Sequence, residues 1–459
     1  MMRRKVLLLH CPGDKVYLHD YYTSYSSKAN YYWPPTDLVL LSGVLREFEL
    51  RVIDAIAEKL SPEECELRIK EFEPEAIIFT TGTATWKKDI AFLEKIKRGL
   101  PALFIGSSSM FLFETEYFLK SSAAIDALSL NMVSPEIVDF IEGREKTYQW
   151  IAFRRGSDLV IPSPEVKKEQ NFRIPIPRHD LFKIKANRSP LAKRTPFALM
   201  VTSLGCPFTC RFCVAGAISY QYRNIENVID ELKLLKSLGV REIMFNDPTF
   251  TVSKKRILEL CRKMKDDGLD FTWVCNAHAA TISEELIAAM KNAGCHTVMI
   301  GVESGQNETL RKYSKSTTRE KIKDSFRICR KYKVKTLAYF IIGLPGETRE
   351  SICETIRFAK HLDCDFASFT VLTPDVGSEL RREAIAKGWL DRTTLSFDST
   401  SFPVFSAGDL SKEDIWRLRQ KAVRAFYLRP GYLFKKLIGI RSVKDLTFLF
   451  DQALSMFLR

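Results

Sequence analysis

Short apolar segments alternate with amphipathic ones over the first 145 residues, which predicts a parallel sheet covered by helices on both faces. The predicted strands are Lys5–His10, Leu50–Asp54, Ala76–Thr81, Ala102–Gly106 and Ile125–Leu128. The predicted helices are Asp37–Glu47, Pro62–Phe72, Trp86–Arg98, Met110–Phe118 and Pro135–Glu142. Five such units predict a flavodoxin-like, doubly wound α/β domain whose ligands bind beyond the carboxyl ends of the strands.

A second series of strands and helices begins at Phe197 and predicts a partial (β/α)6 barrel, open on one side. Its predicted strands are Phe197–Ser203, Glu242–Asn246, Phe271–Asn276, Thr297–Gly301, Thr336–Ile342 and Phe366–Leu372. Its predicted helices are Ile225–Leu238, Lys254–Asp267, Ser283–Ala293, Thr318–Tyr332 and Arg349–Leu362. A barrel of this kind places its chemistry at the carboxyl ends of the strands.

Between the two series the hydrophobic periodicity is lost. Residues 146–195 contain many prolines, lysines and arginines, which is typical of an extended connector. Beyond about residue 400 the pattern becomes helical. We therefore predict a first domain over 1–145, a linker over 146–195, a barrel over 196–400 and a helical C-terminal extension over 401–459.

Composition adds a few limits. The chain has 459 residues, which suggests two or three domains, and it contains no run of 18 apolar residues. The formal charge of +14 is spread along the chain, so we interpret most of it as a solvated surface and expect no nucleic acid partner. The densest aromatic and basic stretch, Arg424–Arg459, is typical of a packed helix with a basic outer face or of a membrane surface contact. Eleven cysteines without paired extracellular spacing indicate reduced thiols and a cytoplasmic location.

The candidate chemistry begins with three cysteines, Cys206, Cys210 and Cys213, which follow the first strand of the predicted barrel. Three thiolates can hold three irons of a [4Fe–4S] cluster and leave the fourth iron open for a small molecule. Zinc sites usually close with four ligands, and no second cysteine pair follows here. The alternatives are a chance grouping and a structural metal site.

Small polar residues follow two strands of the first domain, in Thr80–Thr85 and in Gly106–Ser109. Hydroxyl side chains and glycine let a large flat ligand approach the backbone closely. The alternative interpretation is simple turn chemistry, with Thr85 and Ser109 capping the helices that follow.

With these motifs in order, the second domain resembles the radical S-adenosylmethionine (SAM) superfamily. The whole chain, over roughly residues 1–430, resembles its cobalamin-binding branch, which contains carbon methyltransferases and the anaerobic magnesium-protoporphyrin monomethyl ester cyclase. The segments that carry the resemblance are Thr202–Cys213, Phe245–Thr251, Met290–Cys295, Gly301–Gly305 and Gly343–Thr348.

The resemblance implies that Cys206, Cys210 and Cys213 hold a [4Fe–4S] cluster whose open iron binds SAM. It also implies a set of SAM contacts around the strand ends. Phe212 would lie against the adenine, and the end of the fifth strand at Ile342 would frame it. The remaining predicted contacts are polar: Asn246, Asp247, Glu303 and Ser304.

The layout of the first domain resembles the family's cobalamin module, including Trp33-Pro34-Pro35 after a long loop that follows the first strand. The chain lacks the Asp-x-His-x-x-Gly motif of histidine-ligating cobalamin domains, so we expect cobalamin without a histidine lower ligand. The predicted cobalamin contacts are Thr81, Thr83, Thr85, Trp86, Gly106, Ser107 and Ser108. The alternative is a scaffold domain that has lost the cofactor.

The resemblance implies an enzyme that forms a 5′-deoxyadenosyl radical, removes hydrogen from an unactivated carbon and transfers a methyl group from methylcobalamin. A radical cyclase, a C–C bond-forming enzyme or a rearranging enzyme is the first alternative. An RNA-modifying methylthiotransferase is disfavoured, because those relatives carry a second cysteine triad and only Cys11 and Cys65 precede Cys206. The expected partners are a small-molecule, lipid or natural-product substrate, an electron donor such as flavodoxin or ferredoxin, and a membrane surface at the C-terminal segment.

Overall fold

The computed structural model describes residues 3–28, 31–163, 171–406 and 408–438, with side chains as far as residue 434. The strands are β1 (Lys5–His10), β2 (Tyr17–His19), β3 (Ser24–Ser26), β4 (Glu49–Asp54), β5 (Ala76–Thr80), β6 (Leu103–Ser107), β7 (Ala127–Ser129), β8 (Ile151–Arg155), β9 (Asp158–Val160), β10 (Phe197–Met200), β11 (Ser203–Leu204), β12 (Gln221–Tyr222), β13 (Glu242–Phe245), β14 (Thr272–His278), β15 (Cys295–Glu303), β16 (Lys335–Ile342) and β17 (Phe366–Val371).

The helices lie between these strands and at the C-terminal end. They are α1 (Thr36–Val44), α2 (Ala55–Glu58), α3 (Pro62–Phe72), α4 (Trp86–Lys97), α5 (Ser109–Phe113), α6 (Thr115–Ser121), α7 (Glu136–Ile141), α8 (Ile225–Ser237), α9 (Lys254–Asp266), α10 (Glu284–Asn292), α11 (Asn307–Lys312), α12 (Arg319–Lys331), α13 (Arg349–His361), α14 (Glu379–Ala386), α15 (Lys412–Tyr427) and α16 (Pro430–Ile438). Within the described ranges, no helix is both long and apolar enough to span a membrane.

The first sheet confirms the predicted doubly wound domain. Its parallel strands run in the order β4-β1-β5-β6-β7, which is the flavodoxin-like order. Successive residues of a strand point to opposite faces. Leu7 and Leu9 accordingly join one hydrophobic layer, while Val6 and Leu8 join the layer on the other face. A strand buried on both faces needs the continuous apolar run that β1 has.

The segment predicted as a connector contains two further strands, so that part of the prediction is wrong. β8 pairs antiparallel with β7, and β9 pairs antiparallel with β8, which extends the first sheet to seven strands. Ile151, Ala152 and Phe153 are buried in this extension. The apolar run of β8 is short and is followed by charged residues, so the alternation typical of a strand is hard to recognise in the sequence. The predicted helix Met110–Phe118 is also divided into α5 and α6 at Glu114.

The second sheet confirms the predicted partial barrel. Six parallel strands follow chain order, β10-β13-β14-β15-β16-β17, and β17 does not pair back with β10. One face of the sheet packs against the helices that alternate with its strands, as in α12, where Ile322, Phe326 and Cys329 are buried at helical spacing.

The lumen of this open barrel is filled by side chains of the first domain. Residues 11–28 and 31–35, which we call the first loop, include the β2–β3 hairpin and pack against the lumen-facing side of the strands. The shared hydrophobic cluster joins Phe197, Leu199, Met244, Val274 and Met299 of the barrel to Tyr17, Leu18, Tyr32, Trp33 and Ile56 of the first domain. The two halves therefore have a hydrophobic core in common.

A buried ion network ties the connector to the barrel. Arg223 and Glu231 are each 1% exposed and are joined by an N–O distance of 2.7 Å. His179 of the connector lies 2.9 Å from the other oxygen of Glu231. Arg223 also donates to the backbone oxygen of Val201, directly before the cysteine loop. This network holds the connector and the base of that loop together.

Glu231→Gln should destabilise the protein by about 3 kcal/mol, because it leaves the buried Arg223 guanidinium without its carboxylate. The measurement is the free energy of unfolding by chemical denaturation. Glu226→Gln is the matched control on the same helix. Glu226 is 56% exposed and pairs only with Lys263, so its loss should cost less than about 1 kcal/mol. Equal effects of the two substitutions would contradict the structural role of the network.

Candidate functional site

The three cysteines lie in a loop at the carboxyl end of β10, between the short paired strands β11 and β12. Cys206 and Cys213 are partly exposed, and Cys210 is 9% exposed. The loop begins at Gly205, whose φ is +67°. A Cβ atom at Gly205 would lie 2.3 Å from the Ile218 backbone oxygen and 2.4 Å from that of Ser219, so only glycine lets the loop close here.

The loop is suited to a cluster rather than to a single ion. Among the described residues, no three His, Cys, Asp or Glu side chains are close enough to hold one metal ion. Three thiolates that bind three different irons of a cubane do not need to converge on a point. Burial raises the pKa of the Cys213 thiol to about 12 and also raises that of Cys210, so the thiolates need a bound cation to be stable.

Asp247, a predicted SAM contact, is fully buried and faces the cysteine loop from behind. Its carboxylate accepts hydrogen bonds from the Thr202 backbone N–H and hydroxyl, both at 2.6 Å, and from the Ser203 hydroxyl at 2.8 Å. Arg256 donates to the Thr202 hydroxyl and to its backbone oxygen. The structure therefore gives Asp247 the task of fixing the segment that leads into Cys206.

Asn246, the neighbouring prediction, faces the first domain. Its side-chain amide donates to Asp20 Oδ1 at 3.0 Å and to Thr36 Oγ1 at 3.3 Å. Asp20 also accepts from the Trp33 indole N–H at 3.1 Å, and burial raises its pKa. The side chain of Asn246 thus links the end of β13 to the first loop.

Glu303 forms a buried ion pair that the sequence did not predict. Its Oε1 lies 2.8 Å from Lys315 Nζ, and Glu303 has a φ of +66° at a bulge between β15 and β16. Gly301 leaves space for this ion pair, since a Cβ atom at Gly301 would lie 2.4 Å from Glu303 Oε1 and 2.7 Å from Lys315 Nζ. Although burial opposes the charge, Glu303 raises the pKa of Lys315, and Cys210 and Cys213 act in the same direction when they are ionised. The site therefore keeps a cation beside two of the three cysteines.

His278, at the end of β14, lies under the cysteine loop. Phe208 of the loop stacks on its ring with centroids 3.9 Å apart. The His278 Nε2–H donates to the Lys315 backbone oxygen at 2.8 Å, while Nδ1 accepts from the Ala280 N–H at 3.2 Å. Burial and the Lys315 charge lower the pKa of His278 to about 4, so the ring is neutral at neutral pH. It supports both the loop and the backbone of Lys315.

The other predicted SAM contacts have mainly packing roles. Phe212 is partly buried, with its ring 6.4 Å from that of Tyr313. Ser304 is buried, and its hydroxyl lies 3.3 Å from Thr355 Oγ1 and accepts from the Gln306 N–H. Ile342 is buried in the layer between sheet and helices. Because the side chain of Ile342 is buried there, its predicted contact with SAM would be made by its backbone at the strand end.

The predicted cobalamin edge borders a cleft between the two halves. This small cleft is lined by residues of the turns after β5 and β6, by Asp20–Ser24 of the first loop, and by Asp375 and Val376 after β17. Of the predicted contacts, Thr81, Thr83 and Ser108 line this cleft. Gly82 allows the loop to approach, because a Cβ atom there would lie 2.3 Å from Ser24 Oγ.

The remaining predicted cobalamin contacts lie behind the cleft wall. Thr85 does not cap α4 with its side chain and instead contacts His19 and Asp89. Trp86 packs edge-on against Phe118 with centroids 4.8 Å apart. Gly106 lies against Phe111 and Phe79, and Ser107 is fully buried. The structure thus brings three of these seven residues to the cleft and places four in the supporting layer.

Several residues of the site were missed by sequence reasoning: Asp20, Tyr22, His278, Lys315 and Asp375. His278 ends a strand of the barrel, so its position was a usable signal. Lys315 and Asp375 lie in loops with no local pattern. Burial raises the pKa of Asp375 to about 7, which gives the cleft a carboxyl group that can hold a proton near neutral pH.

Gly205→Ala should reduce the iron and sulfide content of the reconstituted protein, because the added Cβ atom would displace the backbone at Ile218 and Ser219 that closes the cysteine loop. Gly239→Ala is the matched control: Gly239 has a φ of +80°, but a Cβ atom there meets nothing within 4 Å. Both substitutions carry the cost of a left-handed residue, about 1–2 kcal/mol. Full iron content in Gly205→Ala, measured beside the control, would contradict the role of this glycine.

Residues 200–359 match the radical SAM superfamily. An uncharacterized methyltransferase of Pyrococcus horikoshii is 33% identical over 417 residues, which span 88% of this chain and 90% of that protein. The anaerobic magnesium-protoporphyrin IX monomethyl ester cyclase of Rubrivivax gelatinosus is 26% identical over 440 residues, spanning 91% of this chain and 78% of the cyclase.

Two solved structures share the whole fold. The cobalamin-dependent SAM radical enzyme OxsB, with aqua-cobalamin and SAM bound, superposes with a TM-score of 0.71 at 15% identity, over 100% of this chain and 72% of OxsB. The methyltransferase TsrM of Kitasatospora setae gives a TM-score of 0.64 at 18% identity, over 91% of this chain and 85% of TsrM. Residues 200–359 match the superfamily, and the relative from Pyrococcus horikoshii is 33% identical over most of both chains. This chain therefore belongs to the radical S-adenosylmethionine superfamily.

Proposed function

We propose that the protein is a cobalamin-dependent radical SAM methyltransferase. In this proposal Cys206, Cys210 and Cys213 hold a [4Fe–4S] cluster that binds SAM, and the edge of the first sheet holds cobalamin. The names of the relatives support methyl transfer, and OxsB and TsrM are solved with cobalamin. When bound, the cluster and SAM supply a 5′-deoxyadenosyl radical that removes a hydrogen atom from carbon, and methylcobalamin supplies the methyl group.

One observation carries the proposal: a single segment of the first loop contacts both predicted cofactor sites. Tyr22 Oη accepts from the Gly205 N–H at 2.7 Å, directly before Cys206. On the other side, the Tyr21 backbone oxygen accepts from the Ser109 N–H, and Ser24 Oγ accepts from the Ala84 N–H. The carboxyl ends of both sheets therefore flank Asp20–Ser24. A substrate between them would be within reach of both cofactors.

The residues present fit the two groups. The cysteine loop has no fourth ligand of its own, and Lys315 and Glu303 supply buried charges beside it. The cleft at the first sheet offers hydroxyl groups from Thr81, Thr83 and Ser108, which can donate to or accept from the amide groups that surround a corrin. The deeper residues Thr85 and Trp86 would shape the wall rather than touch the cofactor.

A radical cyclase remains the second candidate, because the magnesium-protoporphyrin cyclase matches 91% of this chain. Both candidates require a small-molecule substrate and an electron donor for the cluster. For the membrane contact predicted at the C-terminal end, the support is the exposure of Leu428, Leu433 and Phe434 in the described part of that segment. The rest of the stretch, residues 439–459, lies outside the described residues.

Cys210→Ala should abolish formation of 5′-deoxyadenosine from SAM, because two thiolates hold the cluster poorly. The measurement is chromatography of the products after anaerobic reconstitution and chemical reduction. Cys353→Ala is the control, since Cys353 lies on α13 away from the loop and should leave the product yield unchanged. Retained 5′-deoxyadenosine formation in Cys210→Ala would overturn the assignment.

Ser108→Tyr should remove cobalamin while the iron content stays at wild-type level, because the larger side chain fills the cleft. Ser121→Tyr, at the exposed end of α6, is the control. The measurement is iron and cobalt content with a visible spectrum on the same sample. A full cluster without cobalt in the wild-type protein, even after cobalamin is added, would contradict the cobalamin site and favour the cyclase or a rearranging enzyme.

A further inference from the structure

A chain of buried polar side chains runs through the first domain behind the cleft. His10 Nδ1 lies 3.0 Å from Asp54 Oδ1, and His10 Nε2 lies 2.8 Å from His19 Nδ1. His19 Nε2 lies 2.8 Å from Thr85 Oγ1, which in turn lies 2.5 Å from Asp89 Oδ2. All five residues are at most 5% exposed. We call Asp54, His10, His19, Thr85 and Asp89 the buried polar chain.

The four contacts of this chain require four hydrogen atoms. Two neutral imidazoles supply one each and the threonine hydroxyl supplies one, which makes three. With both carboxylates ionised, one contact would bring two acceptors face to face at hydrogen-bond distance. A fourth proton removes that conflict: a protonated Asp89 donates to Thr85, Thr85 donates to His19, His19 to His10, and His10 to Asp54.

The surroundings favour Asp89 as the holder of this proton. Burial raises the pKa of Asp89 to about 6, and burial together with the neighbouring His10 lowers that of His19 well below its usual value. The other groups that face Asp89 are Lys88, Cys11 and Tyr17, of which only Lys88 carries a charge at neutral pH. At the far end of the buried polar chain, the Tyr32 hydroxyl donates a hydrogen bond to Asp54.

The buried polar chain joins two elements that form the cleft. His10 ends β1 and His19 ends β2 in the first loop, whereas Thr85 belongs to the turn after β5. This turn, Gly82–Trp86, is closed by hydrogen bonds from the Thr85 and Trp86 N–H groups to the Gly82 oxygen. Its residues Gly82 and Thr83 line the cleft. If one hydrogen bond of the buried polar chain lacked its hydrogen atom, the contact between the first loop and the cleft wall would therefore loosen.

We propose that the buried polar chain holds one proton beyond those of two neutral imidazoles and one hydroxyl, and that this proton fixes the Gly82–Trp86 turn against the first loop. His10 and His19 are then positioning residues. Both nitrogens of His19 are occupied by His10 and Thr85, which supports the expected absence of a histidine ligand to cobalt. The proposal concerns the protein without cofactors and stands apart from the proposed function.

The test is a pH titration of the protein labelled with ¹⁵N-histidine, which contains only six histidines. Signals of His10 and His19 are assigned by comparison with His10→Gln and His19→Gln. In the wild type, the ring nitrogens of both residues should shift together at one midpoint near pH 6, where the chain takes up its proton. In Asp89→Asn this common step should be lost, because the amide supplies the fourth hydrogen at every pH.

Asp37→Asn is the matched control. Asp37 is also buried at this sheet edge, its pKa is likewise raised to about 6 by burial, and it accepts from the Thr80 hydroxyl at 2.9 Å. The common step should remain in this variant. Separate midpoints for His10 and His19, or a common step that survives in Asp89→Asn, would overturn the proposal.

Thr85→Val gives an independent version of the test, because it breaks the link between His19 and Asp89 and leaves Asp89 with the Thr81 hydroxyl at 2.6 Å. The common step should again disappear.

Hydrogen exchange of the Thr85 and Trp86 amides in the wild type reports on the turn itself. Exchange corrected for its intrinsic pH dependence should become faster above the midpoint in the wild type and stay slow in Asp89→Asn. Exchange without such a change in the wild type would show that the proton does not hold the turn.

Discussion

The structure depends on the packing of the first loop into the lumen of the open barrel. Lumen-facing side chains of the six-stranded partial barrel, such as Leu199, Met244 and Met299, lie on the open side of the sheet that its own helices do not cover. Aromatic residues of the first loop cover them, so the two halves share one hydrophobic cluster. Burial of that much apolar surface is the main force that holds them in one arrangement. The relative position of the two sheet edges follows from this contact.

The same loop explains how the site is assembled. Its segment Asp20–Ser24 is bound on one side by Gly205 and Asn246 of the barrel and on the other by the turns after β5 and β6. Small residues make each approach feasible, with Gly205 and Gly82 at the closest points. Buried charged groups, including Asp247, Arg256 and the Glu303–Lys315 pair, then fix the backbone around the cysteine loop. In the proposed function, the substrate would therefore lie between the carboxyl ends of the two sheets.

Much of the fold could be predicted from the sequence, because long apolar runs and amphipathic helices carry a clear period. β1 and α3 have the predicted bounds, and the three cysteines follow the first strand of the barrel as predicted. The hairpin in the first loop and the strands β8 and β9 were missed, because a strand of three to five residues carries too little pattern. The partners of Glu303 and Asn246 were missed for a different reason: Lys315 and Asp20 meet them only through tertiary packing.

The cluster and cobalamin are proposed to lie on either side of the segment Asp20–Ser24. The most direct measurement is electron paramagnetic resonance of the protein loaded with both cofactors, with cobalt in the Co(II) state and the cluster reduced. If the two centres lie on either side of Asp20–Ser24 as proposed, the cluster should accelerate the spin relaxation of Co(II). A Co(II) signal that is unaffected by the redox state of a fully assembled cluster would contradict this arrangement.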